Sequence, residues 1–106
     1  MKVVCSKQAK TDLHEIYEYI AFSLLSPENA SNTAKRIMDA ARSLETMPER
    51  NPLYREEPWK SKGVRFTTAR NYMIFYTINA DTETVSISRI MYGGRDISRQ
   101  LENTEW

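Results

Sequence analysis

Tyr72-Met73-Ile74-Phe75-Tyr76-Thr77-Ile78-Asn79, a polar turn, and Thr84-Val85-Ser86-Ile87-Ser88-Arg89-Ile90-Met91-Tyr92-Gly93-Gly94-Arg95-Asp96 form the stretch that decides the fold. Its β-branched and aromatic residues predict two strands, and Ala80-Asp81-Thr82-Glu83 supplies the hairpin turn between them. In the first strand Tyr72, Ile74, Tyr76 and Ile78 share one face, with Met73, Phe75 and Thr77 on the other. Apolar residues on both faces predict a central strand. In the second strand Val85 and Ile87 share a parity that then slips to Ile90 and Tyr92. A bulge near Arg89, or burial of both faces there, would account for the slip.

Working upstream, Val64–Ala69 predicts another strand, with Val64, Phe66 and Thr68 on one face and Arg65, Thr67 and Ala69 on the other. Arg70-Asn71 makes a tight turn into Tyr72. Residues 48–63 hold Pro48, Pro52, Pro58 and Gly63, a composition that reads as a loop. A loop of that length is often functional. Trp59 within it reads as an anchor on the core rather than a ligand-stacking group.

The first half reads as helical. Lys2-Val3-Val4-Cys5 is a short strand and Ser6 an N-cap. Leu13, Ile16, Tyr17, Ile20 and Leu24 then form one apolar stripe ending near Leu25, with Asp12, Glu15 and Glu18 mostly off it. Ser26-Pro27-Glu28 restarts a helix whose stripe is Ala30, Ala34, Ile37, Met38, Ala41 and Leu44. Pro48 stops it. So short a connection predicts an antiparallel helical hairpin. Past the last strand, Ile97 and Leu101 suit a final turn or short helix. The order is β-α-α-β-β-β, an α+β domain with the helical hairpin packed on a small, mainly antiparallel sheet.

The chain has 106 residues, 41% of them hydrophobic and 27% charged, enough for one packed domain over 1–106. Cys5 is the only cysteine, so no internal disulfide and no cysteine metal site is expected, and a reducing cytoplasm is the expected compartment. No apolar run is long enough for a membrane span. Net charge is +1, but it is polarised. Residues 1–59 carry eight Lys/Arg against nine Asp/Glu, whereas residues 60–95 carry six against two. That basicity suits a polyanion or an acidic protein partner, and equally a strand edge kept basic against aggregation.

His14 is the only histidine, and its spacing from Asp12, Glu15 and Glu18 makes no zinc motif. Gly63, Gly93 and Gly94 form neither a phosphate loop nor a dinucleotide fingerprint. What remains is basic and aromatic: Lys60, Lys62, Arg65, Arg70, Arg89 and Tyr92. Such a set can bind phosphates or meet charge in a phosphoryl-transfer transition state without metal. RNA cleavage would also need a proton acceptor and donor, for which Lys60, Lys62 and Tyr92 are the candidates. The competing reading has Arg95 and Asp96 paired locally and Arg89 bonding a loop carbonyl.

The segments Ala9-x-x-Asp12-Leu13-x-x-Ile16-x-x-Tyr19-Ile20, Ala34-x-x-Ile37, Leu44-x-x-Met47-Pro48, Asn71-Tyr72-x-Ile74-x-Tyr76 and Arg89-Ile90-x-Tyr92-Gly93-Gly94-Arg95-Asp96 together resemble the RelE/ParE superfamily of toxins from bacterial type II toxin–antitoxin modules. The likeness spans nearly the whole chain. It implies a cytoplasmic toxin neutralised by an antitoxin encoded beside it, with no cofactor. The superfamily holds two activities. ParE-like members bind and inhibit DNA gyrase; RelE-like members cleave mRNA on the ribosome without metal. Lys60, Lys62 and Arg65 could match the basic residues of the nucleases, and Arg89 or Arg95 their late arginine; Tyr92 would join them as a catalytic residue only on that reading. Met73 stands where those nucleases carry an arginine, and no tyrosine occurs after Tyr92. The Tyr-Gly-Gly-Arg-Asp ending looks ParE-like, which would make Arg70, Arg95 and Asp96 binding residues. The resemblance also allows a toxin-like chain that has lost toxicity and serves as a regulatory partner.

Overall fold

Ser6 is where the first strand becomes the first helix. Its hydroxyl accepts from the Ala9 N–H at 3.0 Å and donates to the Ser88 carbonyl at 3.0 Å, so one side chain caps a helix and ties it to the sheet. A Ser6→Ala variant is expected to lose about 1 kcal/mol in urea unfolding, the usual magnitude for an N-cap.

The computed structural model describes residues 1–94 and 96–106. Strand β1 (Lys2–Cys5) leads into α1 (Lys7–Glu18), a π-helical turn over Tyr19–Ser23, and α2 (Pro27–Arg42). Two short 3-10 turns and a long loop come next, then β2 (Arg65–Ala69), β3 (Tyr72–Asn79), β4 (Thr84–Tyr92) and α3 (Ile97–Glu102). The strands form one mixed sheet in the order β1-β4-β3-β2. β1 runs parallel to β4, Lys2 opposite Thr84 through Cys5 opposite Ile87. The β2–β3–β4 meander is antiparallel.

The parity slip in β4 is a bulge. Phe75 faces Arg89 but Tyr76 faces Ile87, which leaves Ser88 as the extra residue. Both faces are also buried there, since Ser88, Arg89, Ile90 and Met91 are all inaccessible. Each face has its own apolar core. The helices cover Ala69, Ile74, Tyr76, Val85, Ile87 and Ile90 with Ala9, Ile37 and Leu44. The opposite face buries Phe75 and Met91 under Tyr54, Trp59 and Val64 of the long loop and under Leu101 of α3. Trp59 is thus an anchor of its loop on the core, as expected.

Three features differ from the periodic reading. Asp12, placed off the α1 stripe, is only 6% exposed. Leu24, placed on it, is exposed, because the π-helical turn widens the spiral after Glu18 and shifts the phase of the residues beyond it. On α2, Met38 is exposed and Thr33 is buried instead. Ser26 precedes α2 without a side-chain cap; Pro27 at the first position and Glu28 in the first turn carry that start. Both predicted turns are present. Arg70 (φ 54°) and Glu83 (φ 51°) take left-handed backbone, and the Asn79 side chain accepts from the Asp81 and Thr82 N–H groups.

Candidate functional site

β1 ends at Cys5, opposite Ile87, but β4 runs on to Tyr92. The chain leaves β1 at Ser6, whose N–H donates to the Ile87 carbonyl at 2.9 Å, and α1 then crosses the edge that β1 has vacated. Asp12 closes this junction. Its carboxylate accepts from Arg89 Nε at 2.8 Å and Arg89 Nη2 at 3.2 Å. It also accepts from the Ile90 N–H at 3.0 Å and from Gln8 Nε2 at 3.0 Å. Arg89, 7% exposed, uses its remaining hydrogens on α3 and beyond, donating from Nη1 to the Gln100 carbonyl and Thr104 Oγ1, each at 3.2 Å. A charge pair this deep persists because nearly every lone pair and N–H is matched.

Above this pair lies a groove of about 780 Å³ between α1, the π-helical turn and the end of β4. Asp12 and Arg89 form part of its polar lining; Ile16, Tyr19, Leu24, Tyr72 and Tyr92 are its apolar and aromatic walls, and Glu15 also lines it. Tyr72 and Tyr92 meet edge to face with ring centroids 5.9 Å apart. Phe22 and Leu25, in and just after the π-helical turn, are also exposed, at 68% and 83%. Exposed apolar and aromatic side chains gathered along a groove mark an interaction surface. A second, shallower recess of about 270 Å³ lies at the tip of the sheet, lined by Thr68, Arg70, Asn71, Met73, Tyr92, Gly93 and Gly94. At position 94 a Cβ would stand 2.4 Å from the exposed Tyr92 ring, so any larger residue there would displace that ring.

The sequence-derived residues fall in separate places. Arg65 pairs with Tyr76 midway along β3, and its guanidinium donates to the Asn51 carbonyl at 2.6 Å and the Glu49 carbonyl at 3.2 Å. Tyr92 pairs with Tyr72 at the start of β3, four residues away, or about 13 Å at strand rise. Lys60 and Lys62 are exposed on the loop that covers the face opposite the helices. Arg89 sits mid-sheet with its head group turned into the Asp12 pair. Arg70 is exposed at its turn, within 3.4 Å of Asn29 Oδ1. Asp96 caps α3 by accepting from the Arg99 N–H at 3.4 Å, and Arg95 lies outside the described residues.

Asp12 is the residue that sequence reading passed over. Helical spacing put it beside the stripe, and only the fold brings Arg89 to it from 77 positions away. Among the described residues no cluster of His, Cys, Asp and Glu could hold a metal ion, and no helix is long and apolar enough to cross a membrane. His14 instead pairs with Glu18 one turn on, at 2.6 Å, on the solvent side of α1.

A helical hairpin over a mixed β1-β4-β3-β2 sheet is an arrangement with solved counterparts. Two solved structures share it. The chromosomal ParDE system of Pseudomonas aeruginosa superposes with a TM-score of 0.71 at 22% identity, covering 87% of this chain and 95% of that one. The toxin–antitoxin complex RelBE2 of Mycobacterium tuberculosis superposes at 0.61, also with 22% identity, covering 86% and 95%. Among curated proteins none matches the sequence. Residues 3–97 match the family described as ParE toxin of type II toxin–antitoxin system, parDE, and the chain belongs to that family.

Proposed function

We propose that this toxin acts by binding, with DNA gyrase as its target, and that an antitoxin encoded in the same operon neutralises it. The observation that carries this reading is where the arginines go. Metal-free phosphoryl transfer needs cations free to meet charge on the transferring group. Arg65 is committed to two loop carbonyls and Arg89 to a buried carboxylate and α3. Met73 lines the sheet-tip recess where a nuclease of the superfamily would present an arginine. Lys60 and Lys62 are exposed but lie on the loop over the opposite face, and what the groove itself exposes is aromatic and aliphatic, the composition of a docking surface. The solved relatives were captured as toxin–antitoxin systems, which supports an antitoxin partner for this chain.

The test is a supercoiling assay with purified protein and bacterial gyrase. Supercoiling is expected to fall with added protein and to recover when the antitoxin is supplied. Lys60→Ala/Lys62→Ala should inhibit as well as the parent. Intact supercoiling, together with codon-phased cuts in translated messages after induction, would shift the assignment to a ribosome-dependent mRNA endonuclease using Lys60, Lys62, Arg65, Arg89 and Tyr92. Harmless overexpression without antitoxin would leave a regulatory, non-toxic role.

A further inference from the structure

The outer edges of the sheet are finished differently. The long loop meets the start of β2, where the Phe66 N–H donates to the Pro52 carbonyl at 3.2 Å and Leu53 bridges to Arg65. The stretch of β4 beyond β1 is closed at Ile90 by the Asp12 carboxylate. β1 is the other outer strand, and its free side has no such cover. The Lys2 N–H donates to the Glu83 carbonyl at 3.0 Å and the Ser6 N–H to the Ile87 carbonyl at 2.9 Å, so these two residues face β4. Strand alternation then turns the N–H and C=O of Val3 and Cys5 away from the sheet. Among the described residues no backbone group outside the sheet meets them. The side chains along this edge are apolar: Val4 is 37% exposed, Cys5 is exposed and Val3 is half-buried. The two ends differ in charge. The exposed residues Glu45 and Glu83 stand at the Lys2 end, where the Glu45 carbonyl accepts from the Met1 amine at 2.6 Å. The exposed residues Lys7 and Lys10 stand at the Cys5 end. Burial pushes the Cys5 thiol up, and the nearby Lys10 charge opposes that shift.

We infer that two copies of this chain pair antiparallel along β1, about a two-fold axis at Val4, and so join their sheets edge to edge. The register follows from the open groups. Val3 of one copy exchanges both its backbone hydrogen bonds with Cys5 of the other, and Cys5 with Val3. Val4 then faces Val4 of the other copy in a non-hydrogen-bonded pair, with Cβ atoms about 5 Å apart. Lys2 falls opposite Ser6. Charge favours this direction. An antiparallel pair sets Lys7 and Lys10 of each copy toward Glu45 and Glu83 of the other, whereas a parallel pair would set lysines beside lysines. The pairing is isologous, so it closes on itself and leaves no free strand to recruit a third copy. A contact of one short strand falls below about 1,200 Å² of buried surface, the range of weak and transient association, so the dimer forms with rising concentration. The inference goes beyond the reading of the target. No residue lining the groove along α1 belongs to β1, so the two surfaces are separate.

Sedimentation equilibrium of the full chain under reducing conditions, over a series of concentrations, tests this. A monomer–dimer equilibrium is expected, shifting toward monomer as salt screens the end charges. Val4 is exposed, so Val4→Glu is expected to fold, as far-ultraviolet circular dichroism would verify. It sets two carboxylates against each other on the axis and should weaken association by about fivefold or more, the scale of a cross-strand pair turned from attractive to repulsive. Cysteine trapping reads the register. In a Cys5→Ser background, Val4→Cys should give a disulfide-linked dimer under mild oxidation, because the two thiols face each other. Lys2→Cys in the same background should give far less, because the two copies of position 2 lie about 13 Å apart along the strands. The inference is overturned if the chain stays monomeric at every concentration or if Val4→Glu associates as the parent does. It is equally overturned if Val4→Cys crosslinks no better than Lys2→Cys, which would place any dimer contact away from this register.

Discussion

Asp12→Ala is expected to destabilise the domain by about 3–5 kcal/mol, the cost of leaving one member of a buried ion pair without its partner. Arg89 has no water to turn to, at 7% exposure, and the substitution orphans the Ile90 N–H as well. Domains of this size are stable by about 5–15 kcal/mol, so the urea midpoint should drop by a large fraction. Arg89→Met should cost a comparable amount, since it strands the carboxylate. The double variant Asp12→Leu/Arg89→Met should recover most of the loss, because two apolar groups leave no buried charge to desolvate. Losses below about 1 kcal/mol for both single variants would show that the pair is not coupled. The double variant also bears on mechanism. If Arg89 serves only to hold α1, β4 and α3 together, a refolded Asp12→Leu/Arg89→Met protein should keep whatever activity the parent shows in the supercoiling assay; if Arg89 meets the target, folding will return without activity.

The same pair marks the limit of what the residues revealed in order. Strands β2, β3 and β4 were legible because their signals are local: alternating faces, turn residues at Arg70-Asn71 and Ala80-Asp81-Thr82-Glu83, and a parity slip that only a bulge or double burial could produce. The slip admits a bulge near Arg89 or burial of both faces, and the fold has both, with Ser88 as the extra residue. Asp12 gave no such sign. A carboxylate beside a helical stripe has the same appearance whether it faces water or a partner 77 residues away, since the pairing depends on β4 outrunning β1. Leu24 was misplaced for a different reason. A single π-helical turn at Tyr19–Ser23 breaks the 3.6-residue period, and the residue that periodicity would bury becomes a wall of the groove. Both misses lie at the groove, where side chains serve contacts other than the local helix.

Trp59→Ala is expected to cost about 3–5 kcal/mol, as truncation of a buried large aromatic does, and to do so by loosening the loop as well as the core. The indole is 4% exposed and meets the Tyr54 ring edge to face with centroids 5.9 Å apart; Tyr54 in turn meets Phe75 at 5.6 Å. Through these rings the loop roofs one face of the sheet, next to Leu101 of α3. The loop backbone is sewn to that roof: the Tyr54 N–H donates to the Val64 carbonyl at 2.8 Å and the Val64 N–H to the Trp59 carbonyl at 3.0 Å. Glu56 adds a second clasp. It accepts from Ser98 and Tyr54, each at 2.7 Å, and these bonds, Ser98 first, hold its carboxyl below the ordinary carboxylate range. With Trp59 removed, amide exchange at Tyr54 and Val64 should quicken before that of Ile74 or Ile87, whose cover is the helical hairpin on the other face. Calorimetry and exchange together discriminate between the two roles open to this side chain. An anchor loses stability and loop protection on truncation, whereas a ligand-stacking residue would leave both intact and lose only binding to its target.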